Sequence, residues 1–487
     1  MNKIKIFLLC LLAASLFSCK KFLDEQPTNQ VDAGISIQTP ADAQIMINGI
    51  ERAMTSSDYY GRNFVLYGDT KGGDMTIPSQ GRGLDALYTF AHSPSSNSYS
   101  GFWSQIYFTL LQVNNLLQNI DKLEAAGATG FSSYKAQALT LRAMMYFDLV
   151  RLYGKCYDDD KNSYGVPNVT KPLSATAQPL RNTVNENYTQ ILADLQAAAP
   201  LLSKTKSNGF INYYGNIAMQ ARVYLYMKDY TNALKYSEEI INSNVYTLYT
   251  NATWVDSWKA QFGSESIFEL GIYPLEGDLG AASLGAYQRA KGVGGSTILG
   301  WFIASDYFLN RLKQDATDIR WGVMNDDELS TSGTPRKGCV YKYSGNTALA
   351  GDGKTTNTAV NIKVIRLSEI YLIAAEAALA SDMTKAANYL NAIRKRAPNL
   401  AAATSTTVTA DMILDERSKE LYGEGQRFFD MLRLNKTIVF NDEVIGLTVA
   451  TRAKQIDRTF YKTILPISQA EINANPGLKA QQNPQYQ

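Results

Sequence analysis

The ionisable side chains of this 487-residue chain are densest in one stretch near the C-terminal end. Such a stretch could supply the two converging carboxylates that a glycoside hydrolase needs. The stretch contains Asp415, Glu416, Arg417, Glu420, Glu424, Arg427, Asp430 and Arg433. Most of these residues follow one another at steps of three or four, which places them on one helix face, where opposite charges pair. Nothing singles out two carboxylates as a catalytic pair. We therefore interpret the stretch as a structural charge network that fixes a helix junction.

The rest of the sequence offers no catalytic motif. His92 is the only histidine, and no HExxH, GxSxG, P-loop or GxGxxG pattern stands in a supporting context. No CxxC motif or Cys/His cluster points to zinc. The net charge is +2 with scattered Lys and Arg, which gives nucleic-acid binding little support. We therefore expect no catalytic residues, no metal, no cofactor and no nucleic-acid partner.

Two further features leave alternatives open. The acidic run of Asp158, Asp159 and Asp160 offers oxygen ligands that suit Ca²⁺, but the ordered spacing and the glycine of an EF-hand are missing. A solvated acidic turn is the favoured interpretation. Cys156 and Cys339 could form one disulfide in an oxidising compartment, and the sequence does not decide whether they meet.

The N-terminus is typical of an exported protein. Lys3 and Lys5 precede an apolar run at 6–17, which has the length of a signal peptide and is too short to span a bilayer as a mature helix. The run ends at Ser18-Cys19, which resembles a bacterial lipobox, and we predict cleavage and lipidation at Cys19. The alternative is an ordinary secretory cleavage site beside a chance cysteine. The predicted organisation is a signal peptide at 1–18 and a lipidated tether at 19–37, attached to the membrane through the lipid anchor.

Helical periodicity dominates the remaining sequence. Residues 211–244 predict two helices folded back on each other, with small alanines that let the backbones approach, as in a repeat of about 34 residues. Residues 366–398 follow the same plan, with a turn at Ser381-Asp382. One such hairpin cannot bury its apolar face alone, so further pairs must stack on it. The predicted fold is dominated by α-helices, a TPR-like scaffold of helical hairpins with long irregular insertions and minor short strands.

Further helices and two irregular segments complete the predicted organisation. Thr39-Pro40 begins a helix, Gly154 ends another, and Gly423 and Gly425 break a third. The predicted helices lie at 40–56, 102–120, 134–152, 182–199 and 409–435. The sequence shows no helical period at 58–100 or through most of 245–365. The tail from Tyr461 is expected to lie on the surface as extended chain, with a short helix near Ser468. We divide the body into an N-terminal part at 38–250 and a C-terminal part at 251–487, the latter with an irregular insertion at 251–365, helices at 366–435 and the tail.

An ordered set of motifs resembles the SusD/RagB family of surface lipoproteins of Bacteroidetes. After Cys19-Lys20-Lys21-Phe22-Leu23-Asp24 come ALTLRAMMYFDLVRLYG at 138–154, ARVYLYMKDY at 221–230 and SESIFEL at 264–270. The most distinctive are RLSEIYLIAAEAAL at 366–379 and ILDERSKELYGEGQRFFDMLR at 413–433. Each motif alone is modest, but together they span the mature chain in family order.

The resemblance implies a function as well as a fold. It implies four helical-repeat pairs, no catalysis, no obligatory cofactor and a position on the outer membrane facing the cell exterior. It also implies glycan capture and delivery to a TonB-dependent SusC-like transporter, over which the lipoprotein acts as a hinged lid. The alternatives are a RagB-like protein that captures peptides, a surface glycoside hydrolase, and an adaptor whose repeats grip another protein.

Glycan capture requires flat apolar faces beside hydrogen-bonding groups. Of the five tryptophans, Trp103, Trp254 and Trp258 are expected in the core, whereas Trp301 and Trp321 lie in an irregular segment. The family places its site in segments equivalent to the two irregular ones, but its binding residues do not match here by motif. Chemistry and placement give the candidate ligand-binding residues Tyr88, His92, Asn97, Tyr287 and Trp301.

Overall fold

A computed structural model describes residues 37–96, 100–293, 298–343 and 358–486. The signal peptide, Cys19, almost the whole tether and the candidate Asn97 lie outside the described residues. The helices are α1 Pro40–Met54, α2 Asn63–Thr70, α3 Asp85–Thr89, α4 Ser100–Ala125, α5 Ser132–Tyr153, α6 Tyr157–Asp160, α7 Val184–Ala198, α8 Tyr213–Tyr226, α9 Tyr230–Ser243, α10 Leu284–Gln288, α11 Asp306–Leu312, α12 Leu367–Ala378, α13 Met383–Arg394, α14 Ala410–Glu420, α15 Arg427–Arg433 and α16 Gln469–Ala474. The strands are β1 Met75–Thr76, β2 Ser266–Leu270, β3 Ile303–Ala304, β4 Met324–Asn325, β5 Cys339–Val340, β6 Ile362–Arg366, β7 Ile438–Val439 and β8 Gln455–Ile456.

The long helices pack in chain order, as the periodicity predicts. Neighbouring pairs are α1 with α4, α5 with α7, α8 with α9 and α12 with α13, and α9 joins the last two pairs by packing on α12. Both predicted hairpins are confirmed. An aspartate is the N-cap of the second helix of each: Asp229 directly precedes α9, and Asp382 directly precedes α13. Lys228 makes the first turn in the left-handed region, at φ 59°.

The first irregular segment is more regular and more deeply buried than its sequence indicates. Helix α2 lies inside it, and every residue from Phe64 to Thr70 is buried. A helix surrounded by protein on all sides has no polar face, so it leaves no amphipathic period in the sequence. Helix α2 packs on α15 with Gly68 against the backbone of Gly425, where a Cβ on Gly68 would lie 2.0 Å from the Gly425 oxygen.

Short antiparallel strand pairs connect the irregular segments to each other and to the helices. Strand β1 of the first segment pairs with β3 of the second, in the register Met75 with Ala304. Within the C-terminal part, β2 pairs with the fully buried β6, which leads directly into α12. The two segments, more than 200 residues apart in places, are therefore held side by side.

The C-terminal tail is part of the core, which corrects its predicted surface position. The predicted short helix is confirmed as α16, capped by Ser468, but Leu465, Ile467 and Leu478 are buried. Asn483 Nδ2 donates to the carbonyl oxygens of Tyr153 (2.9 Å) and Leu465 (2.6 Å). The tail thus satisfies the backbone at the end of α5, where its polar residues have buried partners.

Within the described ranges, no helix is both long enough and apolar enough to span a bilayer.

Candidate functional site

The predicted charge network is confirmed and lies inside the protein. Glu416 and Glu420 are buried, the side chain of Glu424 is 5% exposed, and their partners come from distant segments. Arg320 Nη1 lies 2.6 Å from a Glu416 oxygen, and Arg366 lies 3.2 Å from Glu420 and 2.7 Å from Glu424. Burial acts to raise the pKa of Glu416. The positive charges of Arg320 and Lys419 outweigh burial and hold this pKa below its usual range. These carboxylates are charged, paired and closed to a substrate.

Two candidate ligand-binding residues of the first irregular segment lie in the core. Tyr88 is fully buried, and its hydroxyl donates to Asp442 Oδ1 at 2.8 Å. His92 is 4% exposed, with its Nε2 2.8 Å from the Tyr486 hydroxyl, and burial lowers the pKa of the imidazole to about 2. Neither ring offers a face to a ligand, because Phe440 and Arg452 pack on Tyr88 and Tyr486 of the tail packs on His92.

The other two candidates, Tyr287 and Trp301, meet edge to face, with ring centroids 4.6 Å apart and planes at 69°. Tyr287 is 6% exposed, whereas Trp301 is half-buried and therefore the more accessible of the two residues. Arg62 Nη1 donates to the Tyr287 hydroxyl at 3.0 Å, and its guanidinium lies 4.7 Å from the ring centroid. Tyr287 therefore supports the indole from behind, and Trp301 is the ring that a ligand can reach.

The two irregular segments meet at Trp301. Gly83, in the left-handed region at φ 112°, lies against the indole, and a Cβ there would be 2.8 Å from Cη2 of Trp301. Arg82 Nη1 donates to the carbonyl oxygens of Gly300 (2.6 Å) and Leu299 (3.2 Å), and Arg82 also pairs with Glu328. The Trp301 ledge is defined by Arg62, Arg82, Gly83, Tyr287, Trp301 and Glu328.

The Trp301 ledge is suited to binding a flat polar ligand. Its indole face is apolar, while Arg82 and Glu328 place a hydrogen-bond donor and an acceptor at the rim. Among the described residues, no group of His, Cys, Asp or Glu side chains is arranged to hold a metal ion. The sequence proposed Trp301 and Tyr287 as candidates, but it gave no signal for Arg62, Arg82 or Glu328, because only the folded chain brings them together.

Three of the other four tryptophans lie in the core, as predicted. Trp254 and Trp258 are 0% and 2% exposed, and Trp103 is 7% exposed, which confirms their prediction as core residues. Trp321 is half-buried, and its Nε1 donates to the Asp315 carbonyl at 3.3 Å.

The acidic run and the two cysteines have structural surroundings. Asp158 lies 2.7 Å from Lys228 Nζ and 2.9 Å from Arg458 Nη1, so its carboxylate is paired with cations rather than only solvated. Cys156 and Cys339 are both free thiols, which settles the open question of a disulfide between them.

A cavity of about 320 Å³, which the sequence did not indicate, lies where α5, α6 and α7 meet the tail. Arg151, Tyr188, Phe460 and Tyr461 line it, and the Arg151 guanidinium lies 4.4 Å from the Phe429 ring centroid. None of these elements contributes to the Trp301 ledge.

Comparison with known proteins gives matches along almost the whole chain. The family model described as "SusD family" matches residues 289–486, and the model described as "Starch-binding associating with outer membrane" matches residues 21–225. A SusD superfamily protein of Bacteroides thetaiotaomicron, known from its crystal structure, is 33% identical, with a TM-score of 0.82 over 92% of this chain and 100% of that one. A SusD-like protein of Formosa agariphila is 26% identical over 100% of both chains, and the starch-binding protein SusD of B. thetaiotaomicron is 24% identical over 72% of each.

Proposed function

Because the chain belongs to the SusD/RagB family, we propose that it is a non-enzymatic lipoprotein of the outer membrane that binds a glycan on the Trp301 ledge. In this proposal the protein faces the cell exterior and delivers an oligosaccharide or polysaccharide to a TonB-dependent SusC-like transporter. The family descriptions of starch binding and outer-membrane association support the ligand class and the location. The lipobox-like sequence ending at Cys19 supports the lipid anchor.

The observation that carries the proposal is the indole of Trp301, a residue that is half-buried rather than enclosed in the core. An aromatic face accepts the C–H side of a sugar ring, and it gains from burial without having to satisfy hydrogen bonds of its own. The ring is held in place by Tyr287 behind it and by Gly83 beside it, so little ordering is required on binding. The polar rim supplies partners for sugar hydroxyls.

A non-enzymatic role is supported by the environment of the acidic groups. The carboxylates of the charge network are buried in ion pairs, and Glu328 on the ledge is paired with Arg82. A glycosidase needs two carboxyl groups that face each other across a substrate. The Trp301 ledge offers one, already engaged.

The test is affinity electrophoresis of the soluble protein against amylopectin, laminarin, xylan and galactomannan, with calorimetry on the polysaccharide that retards it. We expect Trp301→Ala to weaken binding by roughly 10- to 150-fold, the equivalent of about 1.5–3 kcal/mol for the contact of a large apolar side chain. Trp301→Phe keeps a ring and should retain part of the affinity. Phe108→Ala is the matched control, because Phe108 is 57% exposed on α4, outside the ledge.

Three results would contradict the proposal. Retardation of the Trp301→Ala variant equal to that of the wild-type protein would remove the ledge from binding. New reducing ends after incubation with any of the polysaccharides would show hydrolysis. Calorimetric binding of oligopeptides in the absence of any glycan retardation would favour peptide capture.

A further inference from the structure

A second aromatic surface lies beside helix α1. Phe210, Phe262 and Tyr273 line a groove of about 200 Å³. Tyr273 is 51% exposed, and the two phenylalanines are half-buried. The volume is below the roughly 300–1,000 Å³ of pockets that enclose drug-sized ligands, so the groove has room for one ring rather than for an enclosed oligosaccharide. The Tyr273 groove is defined by Asn48, Glu51, Arg52, Asn208, Gly209, Phe210, Phe262, Gly271, Tyr273 and Glu276.

The backbone around Phe262 is built to present its ring. Phe262 is in the left-handed region at φ 49°, which a bulky aromatic residue rarely adopts. Lys206 Nζ holds this turn by donating to the carbonyl oxygens of Phe262 (2.8 Å) and Gly263 (2.7 Å). The ring lies close to Gly209, where a Cβ would be 3.4 Å from it. Unusual backbone of this kind, held by specific bonds, is found at ligand sites.

Tyr273 projects from a tight turn on the other side of the groove. Its carbonyl oxygen accepts hydrogen bonds from the backbone of Glu276 (3.1 Å) and Gly277 (2.9 Å). The turn leaves Leu275 fully exposed, two residues along the chain from the half-exposed Tyr273. Two apolar side chains held outward in this way are available to a ligand and contribute little to the core.

Helix α1 supplies the polar side of the groove. Asn48 and Arg52 are exposed there, and Glu51 lies between them, half-buried. The Oε1 atom of Glu51 is buried and has no hydrogen-bond partner within the described part of the chain. Burial raises the pKa of this carboxyl well above its usual range, and a protonated carboxyl both donates and accepts. Such a group matches a hydroxyl, which also does both.

We propose that the Tyr273 groove is a second glycan subsite that holds one neutral hexose unit, with an aromatic ring against its C–H face and the α1 side chains at its hydroxyls. A neutral sugar fits better than an acidic one, because its hydroxyl can pair with the buried Oε1 of Glu51, whereas a carboxylate ligand would meet the exposed carboxylate of Glu276. The inference rests on the proposed function, since the ligand is the same glycan that the Trp301 ledge binds.

A chain of contacts connects the two sites, and it runs beneath the surface, because Thr55 and Gly61 are buried. From the groove, Arg52 Nη1 donates to Thr55 Oγ1 at 3.0 Å at the end of α1. Gly61 packs there between the Thr55 carbonyl and Leu279 and is followed by Arg62, which reaches Tyr287 of the ledge. A glycan long enough to reach from one site to the other engages both, and the second contact then benefits from a high effective concentration.

The test compares long and short forms of one glycan: amylopectin with maltotriose, or laminarin with laminaritriose, according to which polysaccharide retards the wild-type protein. We expect Tyr273→Ala to weaken polysaccharide binding about 5- to 20-fold and to reduce the trisaccharide stoichiometry in calorimetry from two sites to one. Tyr273→Phe keeps the ring and should match the wild-type protein, as should the control Phe108→Ala. Because Tyr273 is half-exposed, the alanine variant should melt at the wild-type temperature.

The outcomes separate this inference from the proposed function. Wild-type affinity and stoichiometry in Tyr273→Ala, together with loss of all binding in Trp301→Ala, would overturn the second subsite and leave the proposed function standing. Residual polysaccharide binding in Trp301→Ala that disappears in the double variant would support the subsite. A wild-type protein that binds none of the glycans, or that binds only oligopeptides in the groove, would overturn both.

Discussion

Neutralising Glu420 should destabilise the protein strongly, because this carboxylate is shared by three buried arginines. Its oxygens lie 3.2 Å from Arg366, 3.6 Å from Arg320 and 3.9 Å from Arg396, and they also accept a hydrogen bond from Trp254 Nε1 at 3.2 Å. Glu420→Gln keeps the shape of the side chain, so it creates no cavity. It removes the negative charge and replaces one acceptor oxygen with an NH2 donor.

The expected loss of unfolding free energy depends on which ion-pair partners the arginines keep in the Glu420→Gln variant. Removing one partner of a buried ion pair costs about 3–5 kcal/mol, because the remaining charge is left uncompensated away from water. Arg366 and Arg396 still have Glu265, at 3.1 and 2.7 Å, so the loss should fall near 3 kcal/mol, the lower end of this range. Burial acts to raise the pKa of Glu420, and the arginines outweigh it and lower the pKa below 4.5. The stabilisation is therefore complete above pH 4.5 and is lost as the pH falls through the folded-state pKa.

The assay is urea denaturation followed by tryptophan fluorescence at pH 7 and again near pH 3. Asp411→Asn is the matched control: Asp411 pairs with Lys436 at 2.6 Å, but the two side chains are 74% and 38% exposed. An exposed pair of this kind contributes about 0–1 kcal/mol. A Glu420→Gln variant as stable as the control at pH 7 would refute the network as a source of stability. Unchanged stability combined with loss of a hydrolytic activity would assign the carboxylate to catalysis.

Two further predictions test the packing. Burial lowers the pKa of His92 to about 2, so the single imidazole NMR signal should remain that of the neutral ring as the pH falls from 7 to 4, and a midpoint near 6.5 would contradict its burial. Because the folded-state pKa lies below the unfolded value, His92 contributes stability above pH 6.5 that is lost by about 1.4 kcal/mol per pH unit below it. Gly68→Ala should lower the free energy of unfolding, measured by urea denaturation, by about 1–3 kcal/mol or more, because the new Cβ would lie 2.0 Å from the Gly425 oxygen. Gly49→Ala is the control: its Cβ would have open space, so the variant should stabilise α1 by about 0.5–1 kcal/mol. Equal effects of the two substitutions would contradict the close contact at Gly68.

The sequence predicted the long amphipathic helices well and the irregular segments poorly. An alternation of apolar and polar residues at helical spacing exists only where one face meets solvent, as in α9 and α13. Helix α2 is buried on all sides and showed no such period. Polar composition likewise indicated an exposed tail, but Asn483 uses its amide to satisfy buried backbone carbonyls. Polar residues with buried partners look the same in a sequence as polar residues in water.

The candidate site also contains residues that the sequence could single out and residues whose accessibility it could not predict. Trp301 could be selected from the sequence because it stands outside the helical pattern, and Tyr287 because a ring and a polar tip lie in the same segment. Tyr88 and His92 met the same criteria, yet the fold covers both. Accessibility depends on which distant segments pack over a residue, and local spacing carries no information about that.

By itself, the sequence determined the helical-repeat scaffold, the positions of its long amphipathic helices and the charged stretch at 415–433, because helix formation and capping depend on residues within a few positions of one another. Tertiary structure alone decided which rings remain exposed, which arginines neutralise Glu416, Glu420 and Glu424, and that Gly83 and Arg82 border Trp301. Each of these is a contact between residues far apart in the chain, and such contacts arise only when the hydrophobic core brings the segments together.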